Sequence, residues 1–259
     1  MRKRRGYIES KKKDLIKILF LILIVSFIVL LIILFNNNKS KIDNVIIEEN
    51  IENNISHKDN DIKNERIGKL KKIQQENADI VAWLEIEGSK INYPVLQTNN
   101  NSFYMIHNYK KEYSKDGSLF LDKDYDWNLP STNLLIYGHN NIGSQEMFAD
   151  LMNYKDQNYY NMHKTIRLTT NNEDSEYEII AVFLSRVYYK SEKNVFRYYF
   201  FINAENEEQF NEYVQNSKKA SLYETNVTAK YGDQLLTLST CSYHTEDGRL
   251  AVVAKKVAK

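Results

Sequence analysis

The chain is 259 residues long, 42% hydrophobic and 27% charged, with a formal net charge of +1 and a single cysteine. One cysteine excludes an internal disulfide, and the charge is unevenly placed: residues 1–17 hold eight basic and two acidic side chains, leaving about −5 for the rest. An acidic remainder disfavours a nucleic-acid partner, which would require a basic face.

The first element is the uncharged run Ile18 to Phe35, "ILFLILIVSFIVLLIILF", whose only polar residue is Ser26. At helical rise it spans roughly 27 Å, close to the hydrocarbon thickness of a bilayer. The basic residues ahead of it keep 1–17 in the cytoplasm and place the remainder outside. The run is too long for a cleaved signal peptide, and "NNNKSK" follows it in place of a small-residue cleavage site, so 18–35 reads as an uncleaved signal anchor. Residues 36–64 are rich in Asn, Lys, Asp and Glu, cannot bury enough apolar surface to offset ordering, and read as a flexible or partly helical stalk.

From 65 to 259 the texture becomes that of one folded domain. Ile67, Leu70 and Ile73 recur at helical intervals, then "VAWLEI", a turn at Gly88 and "KINYPVLQ" follow. Further strand-like runs are "SLFLD", "TNLLIYGH", "TIRLTT", "YEIIAVFLSRVYY", "QLLTLSTCSY" and "RLAVVAKKV". Two helices interrupt them. One is "SQEMFADLMNY", capped by Ser144 with Met147, Phe148, Leu151 and Met152 on its apolar face; the other is "AENEEQFNEYVQNS", with Phe210, Tyr213 and Val214 as its stripe. The fold class is therefore mainly β with added helices, a closed barrel or a sandwich.

Cys241 ends the run "TLSTC". Buried inert filler is the bland reading of a lone cysteine. Strand alternation, however, puts Leu235, Thr237, Ser239, Cys241 and Tyr243 on one face, and such a polar face reads as the floor of a groove. With "YHTEDG" as the reversal, Cys241 and Arg249 are equidistant from Thr245 and become neighbours across an antiparallel pair. A guanidinium there favours thiolate over thiol and can hold an oxyanion, although by itself Arg249 also fits a surface strand.

A thiol nucleophile needs a proton partner, usually histidine. His57 lies in the stalk, strand alternation turns His244 to the opposite face, and His163 sits at a helix-to-strand junction. His107, in "FYMIHNYKKEY", stays open. His139 is favoured, because it ends a strand-like run and precedes the loop-forming Asn140, Asn141, Ile142 and Gly143.

"TLSTC" followed by Arg249, with "YGHN" upstream, resembles the sortase family of Gram-positive cell-surface transpeptidases. "INYPVLQTNNNSFYMIHNY", "GSLFLD", "YGHNNIGSQEMFADLMNY" and the helix-bearing stretch 204–219 resemble class B in particular, over roughly 66–257. The resemblance implies a sortase-type closed β-barrel with N-terminal helices outside it and a long helix between the sixth and seventh strands. It makes Cys241 the nucleophile, His139 the general acid/base and Arg249 the oxyanion- or substrate-orienting group. Ser239, Asn101 and Met105 match substrate-contacting positions, as do Val195 and Phe196 in the region between strands 6 and 7. Ser242 stands where some class B members carry an acid.

The implied reaction cuts a C-terminal sorting motif after threonine, holds the protein as a thioester on Cys241, and passes it to an amine. The partners implied are surface proteins with a sorting signal of Asn-Pro or Pro-x-Thr type. The amine belongs to lipid II, the peptidoglycan cross-bridge of mature wall, or a pilin-like lysine. No cofactor and no metal are called for. Papain-like hydrolases, with Cys before His, and L,D-transpeptidases, with His and Gly ahead of the Cys, fit less well. A non-catalytic anchored β-module remains the rival of another class, and class D sortases lack the long helix.

Overall fold

The structure is a computed structural model describing residues 17, 19–31, 33–35, 58–129 and 131–258. The expected tail over 1–17, save its last residue, and the stalk up to 57 lie outside the described residues. The chain divides into two compact units, Met1–Ile62 and Lys63–Lys259. In the first, 19–31 is helical with its apolar side chains exposed. Among the described residues no helix is long and apolar enough to cross a membrane. The single span expected over 18–35 is thus not seen as one helix, positions 18 and 32 being outside the described residues.

The second unit is a closed barrel of eight strands among the described residues. In chain order they are β1 (Ile80–Glu85), β2 (Asn92–Leu96), β3 (Leu119–Leu121), β4 (Asn133–Tyr137), β5 (Thr165–Thr170), β6 (Asp174–Arg186), β7 (Leu235–Cys241) and β8 (Gly248–Lys256). The spatial order is β1-β2-β3-β4-β7-β8-β6-β5. β2–β3 and β4–β7 are parallel and the remaining pairs antiparallel. Closure removes the unpaired edge that an open sheet would expose.

Three apolar clusters hold this unit. Leu236 and Leu238 of β7 and Leu250, Val252 and Ala254 of β8 point into the barrel, with Leu84, Leu134, Ile136 and Leu168. Alternation then turns Ala251 and Val253 outward, yet they are equally buried, because a helix covers that face. This explains why β8 reads as a nearly unbroken apolar run. The covering helix is α3 (Glu207–Ala220), whose buried Phe210, Tyr213, Val214 and Ser217 recur at helical spacing. Asn206 caps it by accepting from the Gln209 amide, while Glu207 and Glu208 begin it and Lys218 and Lys219 end it, as the helix dipole favours. Burial of each such large side chain contributes roughly 1.5–3 kcal/mol. The third cluster lies under the part of α1 (residues 58–73) that belongs to this unit, where Leu70 packs with Ile80, Leu96, Tyr104 and Phe120 and Arg66 pairs with Glu85 at 2.6 Å.

One expected helix is corrected. Ser144 caps no helix: its hydroxyl donates to Asp116 and accepts from the Glu146 amide within a turn, and Gln145 and Met147 take left-handed φ of 56° and 58°. "SQEMFADLMNY" is instead an irregular loop leading into a 3₁₀ helix, Ala149–Lys155. The sequence pattern also misses α2 (Gln157–Met162), a six-residue helix whose N-terminal cap is Asp156. Phe148 and Leu151 do bury their side chains, which is what the apolar spacing reported.

Candidate active site

β4, β7 and β8 are consecutive in the barrel, and their register builds the site. Cys241 pairs with Arg249 across β7–β8, as the turn centred on Thr245 requires. Gly248 makes that turn possible, since a Cβ there would stand 2.1 Å from the Ser242 carbonyl oxygen. On the other side Tyr137 pairs with Ser239 in parallel register. Two residues further on, His139 comes abreast of Cys241. Side-chain bonds keep the segments together past the end of β4: Thr240 Oγ1 donates to the Gly138 carbonyl at 2.8 Å, and Asn140 Nδ2 to the Cys241 carbonyl at 3.1 Å. The three residues therefore stand in a row on three adjacent segments, with the sulfur in the middle.

The electrostatics follow from that row. A hydrogen bond from His139 draws the Cys241 thiol below its ordinary value, burial opposes this, and the charge of Arg249 helps it. The carboxylate of Asp247 pulls the other way. In return the bond to Cys241 raises His139, against the effect of burial. His139 Nε2 donates to the Met105 carbonyl at 2.7 Å, so in the neutral ring Nδ1 is the nitrogen without a proton. Arg249 donates through Nη1 to the carbonyls of Asp247 and Gly248 at 3.2 and 2.9 Å. Among the described residues no carboxylate forms an ion pair with it, and it borders the cleft. A thiol, an imidazole and a guanidinium brought together in this way are the side chains that an acyl-transfer site uses.

His139, Cys241 and Arg249 open onto a cleft of about 260 Å³ that Ser239, Asn101 and Met105 also line. Val195 and Phe196 do not reach it. They border a separate hollow against α3, with Phe196 packed on Phe183 and Tyr213. The wall on that side is made by Val187, Tyr198 and Tyr199 instead. Between β6 and β7, just ahead of Val195 and Phe196, Asn194 takes a φ of 56°, and no pattern in the sequence signals which residues this loop presents to the cleft. Phe120 and Tyr137 also line it; sequence reasoning does not single them out, although Tyr137 ends β4 and Phe120 lies on the neighbouring β3.

The polar face of β7 needs a correction too. Thr237 does not floor an open groove but is buried beneath an aromatic side chain, whereas Ser239, although nearly buried, still lines the cleft. Thr237 Oγ1 shares a hydrogen bond with the Tyr213 hydroxyl at 2.8 Å and donates to Asn133 at 2.9 Å, and Ser239 meets the Tyr198 hydroxyl at 2.7 Å. Only the Ser239–Cys241 end opens to the cleft. The other described histidines are engaged elsewhere: His107 stacks on Phe103 and His163 on Tyr159, and His244 bonds Ser242 inside the turn. Among the described residues no group of metal-ligating side chains converges.

Comparison with known proteins covers most of the barrel unit. The Sortase domain family matches residues 84–257. Sortase B of Listeria monocytogenes is 35% identical over 192 residues, spanning 73% of this chain and 74% of that protein. Clostridium perfringens sortase B superposes with a TM-score of 0.65 at 31% identity, over 73% of this chain and 99% of the other. A sortase B complexed with triglycine superposes with a TM-score of 0.64 at 27% identity, over 72% and 84%.

Proposed function

The chain belongs to the sortase family, as a class B enzyme, and we propose the course by which it carries out the cysteine transpeptidation of surface proteins. The Cys241 thiolate attacks the carbonyl carbon of threonine in a C-terminal sorting motif, forming a C–S bond. Arg249 holds the oxyanion of the tetrahedral intermediate. As the C–N bond breaks, imidazolium at His139 protonates the leaving amine, and the surface protein remains as a thioester. An incoming amine attacks that thioester and gives its proton back to His139, and the sulfur leaves as thiolate. The thioester conserves the energy of the original amide, so the transfer needs no nucleotide. The triglycine complex of a related sortase B supports an amine acceptor, here an amine of lipid II or the wall cross-bridge.

The placement of His139, Cys241 and Arg249 abreast on three adjacent segments is the observation that carries this reading. The basic 1–17 and apolar 18–35 support an N-terminal anchor with the barrel domain outside the cell, where lipid-linked precursor and translocated protein meet. Ser239, Asn101 and Met105 take the motif along the cleft. The test is to incubate the full-length chain in detergent with a peptide containing Asn-Pro-Xaa-Thr, with and without triglycine. Mass spectrometry should find a threonyl–glycine ligation product that Cys241→Ala abolishes; cleavage that survives the substitution would remove Cys241 from the reaction.

A further inference from the structure

The loop that carries His139 has little regular structure of its own. Between β4 and the 3₁₀ helix at Ala149, Gln145 and Met147 both take left-handed backbone that non-glycine residues seldom adopt. Asn140, Gln145 and Glu146 of this loop are bonded to Cys241, Lys90 and Tyr93, and its stretch from Asn141 to Ser144 is held by Asp116, in the connection ahead of β3. Its Oδ1 accepts from Asn141 Nδ2 at 2.8 Å and from Ser144 Oγ at 2.7 Å, two and five residues beyond His139. The next residue, Gly117, lies against the chain at Tyr104 and Met105. At a φ of 61°, a Cβ there would stand 2.6 Å from the Tyr104 carbonyl oxygen and 2.7 Å from that of Met105. The Met105 carbonyl is the acceptor of His139 Nε2. One dipeptide thus touches both the loop that bears the ring and the carbonyl that sets its tautomer.

We infer that Asp116 and Gly117 are the positioning element for His139: the carboxylate fastens the loop, and the missing side chain lets the chain lie against the carbonyl that orients the ring. Asp116 reaches neither the sulfur nor the cleft, so it acts only through His139. The inference rests on His139 being the acid/base of the proposed reaction. The charged and titratable groups facing the ring are Cys241 from β7, Asp116 from the loop ahead of β3 and, beyond the sulfur, Arg249 from β8. Negative charge at Asp116 adds to the preference for imidazolium.

The test uses the full-length chain and the Asn-Pro-Xaa-Thr peptide. Asp116→Asn keeps an oxygen for both hydrogen bonds and removes the charge. It should melt near the wild-type temperature while the descending limb of kcat/KM against pH, set by the imidazolium, moves to lower pH. Asp116→Ala removes the bonds as well and should lower kcat roughly tenfold or more with little change in KM, since a misplaced general acid costs turnover and not substrate affinity. An Asp116→Asn profile coinciding with wild type, or an Asp116→Ala loss that falls on KM, overturns the inference. His139→Ala separates the two layers. If it is inactive while both Asp116 variants behave as wild type, only the positioning inference fails; if it is active, the acid/base reading fails first.

Discussion

The side-chain amide of Asn140 donates to the main-chain carbonyl of Cys241 at 3.1 Å, tying the residue after the proposed acid/base to the proposed nucleophile. The Tyr243 hydroxyl in turn donates to the Asn140 carbonyl at 3.1 Å, so the tie is closed from both sides. Asn140 is nearly fully buried. Asn140→Ala should cost about 1–2 kcal/mol of stability, as expected for a buried hydrogen bond with one partner removed. It should also lower kcat, because the His139 loop loses its link to β7. Thermal melting and steady-state kinetics check this, and an unchanged kcat would show the link to be dispensable.

The titration of Cys241 should follow the charges around it. Alkylation by a small reagent requires thiolate, so its rate should rise with pH through a midpoint below the ordinary thiol value. His139→Ala and Arg249→Ala each remove a group that favours thiolate and should move the midpoint up. Asp247→Asn removes a charge that opposes it and should move the midpoint down; asparagine also tolerates the left-handed φ of 51° found there. Arg249→Lys keeps the charge and should leave the midpoint nearly in place, yet lose most transfer activity because an ammonium lacks the guanidinium fork. A Lys variant with full turnover would reduce Arg249 to an electrostatic role.

Of the histidines, only His139 should be essential. His107→Ala and His163→Ala lose stacking partners, Phe103 and Tyr159, and should show lower melting temperatures with peptide cleavage retained. His139→Ala should fold and fail to cleave. Cleavage assays on the three variants decide it, and loss confined to His107→Ala would reassign the proton carrier.

The helix over the outer face of β7 should matter for stability and not for chemistry. The Tyr213 hydroxyl bonds Thr237, whose own proton goes to Asn133. Tyr213→Phe removes one buried bond while leaving Thr237 its donor contact, so the cost should be about 1 kcal/mol, or roughly 2–4 °C in Tm. Turnover should not change. A large loss of activity would mean that α3 communicates with the cleft.

What can be read along the chain is what short-range physics controls. The Cys241–Arg249 pairing is legible because an antiparallel turn sets its own register: equal distances from Thr245 suffice. The stripe Phe210, Tyr213 and Val214 is legible because helical spacing alone groups those side chains. Contacts between distant segments leave no such mark. The parallel pairing of Tyr137 with Ser239 joins strands about a hundred residues apart, and only that pairing brings His139 beside the sulfur. The bonding of Thr237 and Ser239 to tyrosine hydroxyls, the capture of Ser144 by Asp116, and the exclusion of Val195 and Phe196 from the cleft are of the same kind. In each, a side chain's surroundings come from elements that fold onto it from far along the chain, and no local periodicity records which element arrives.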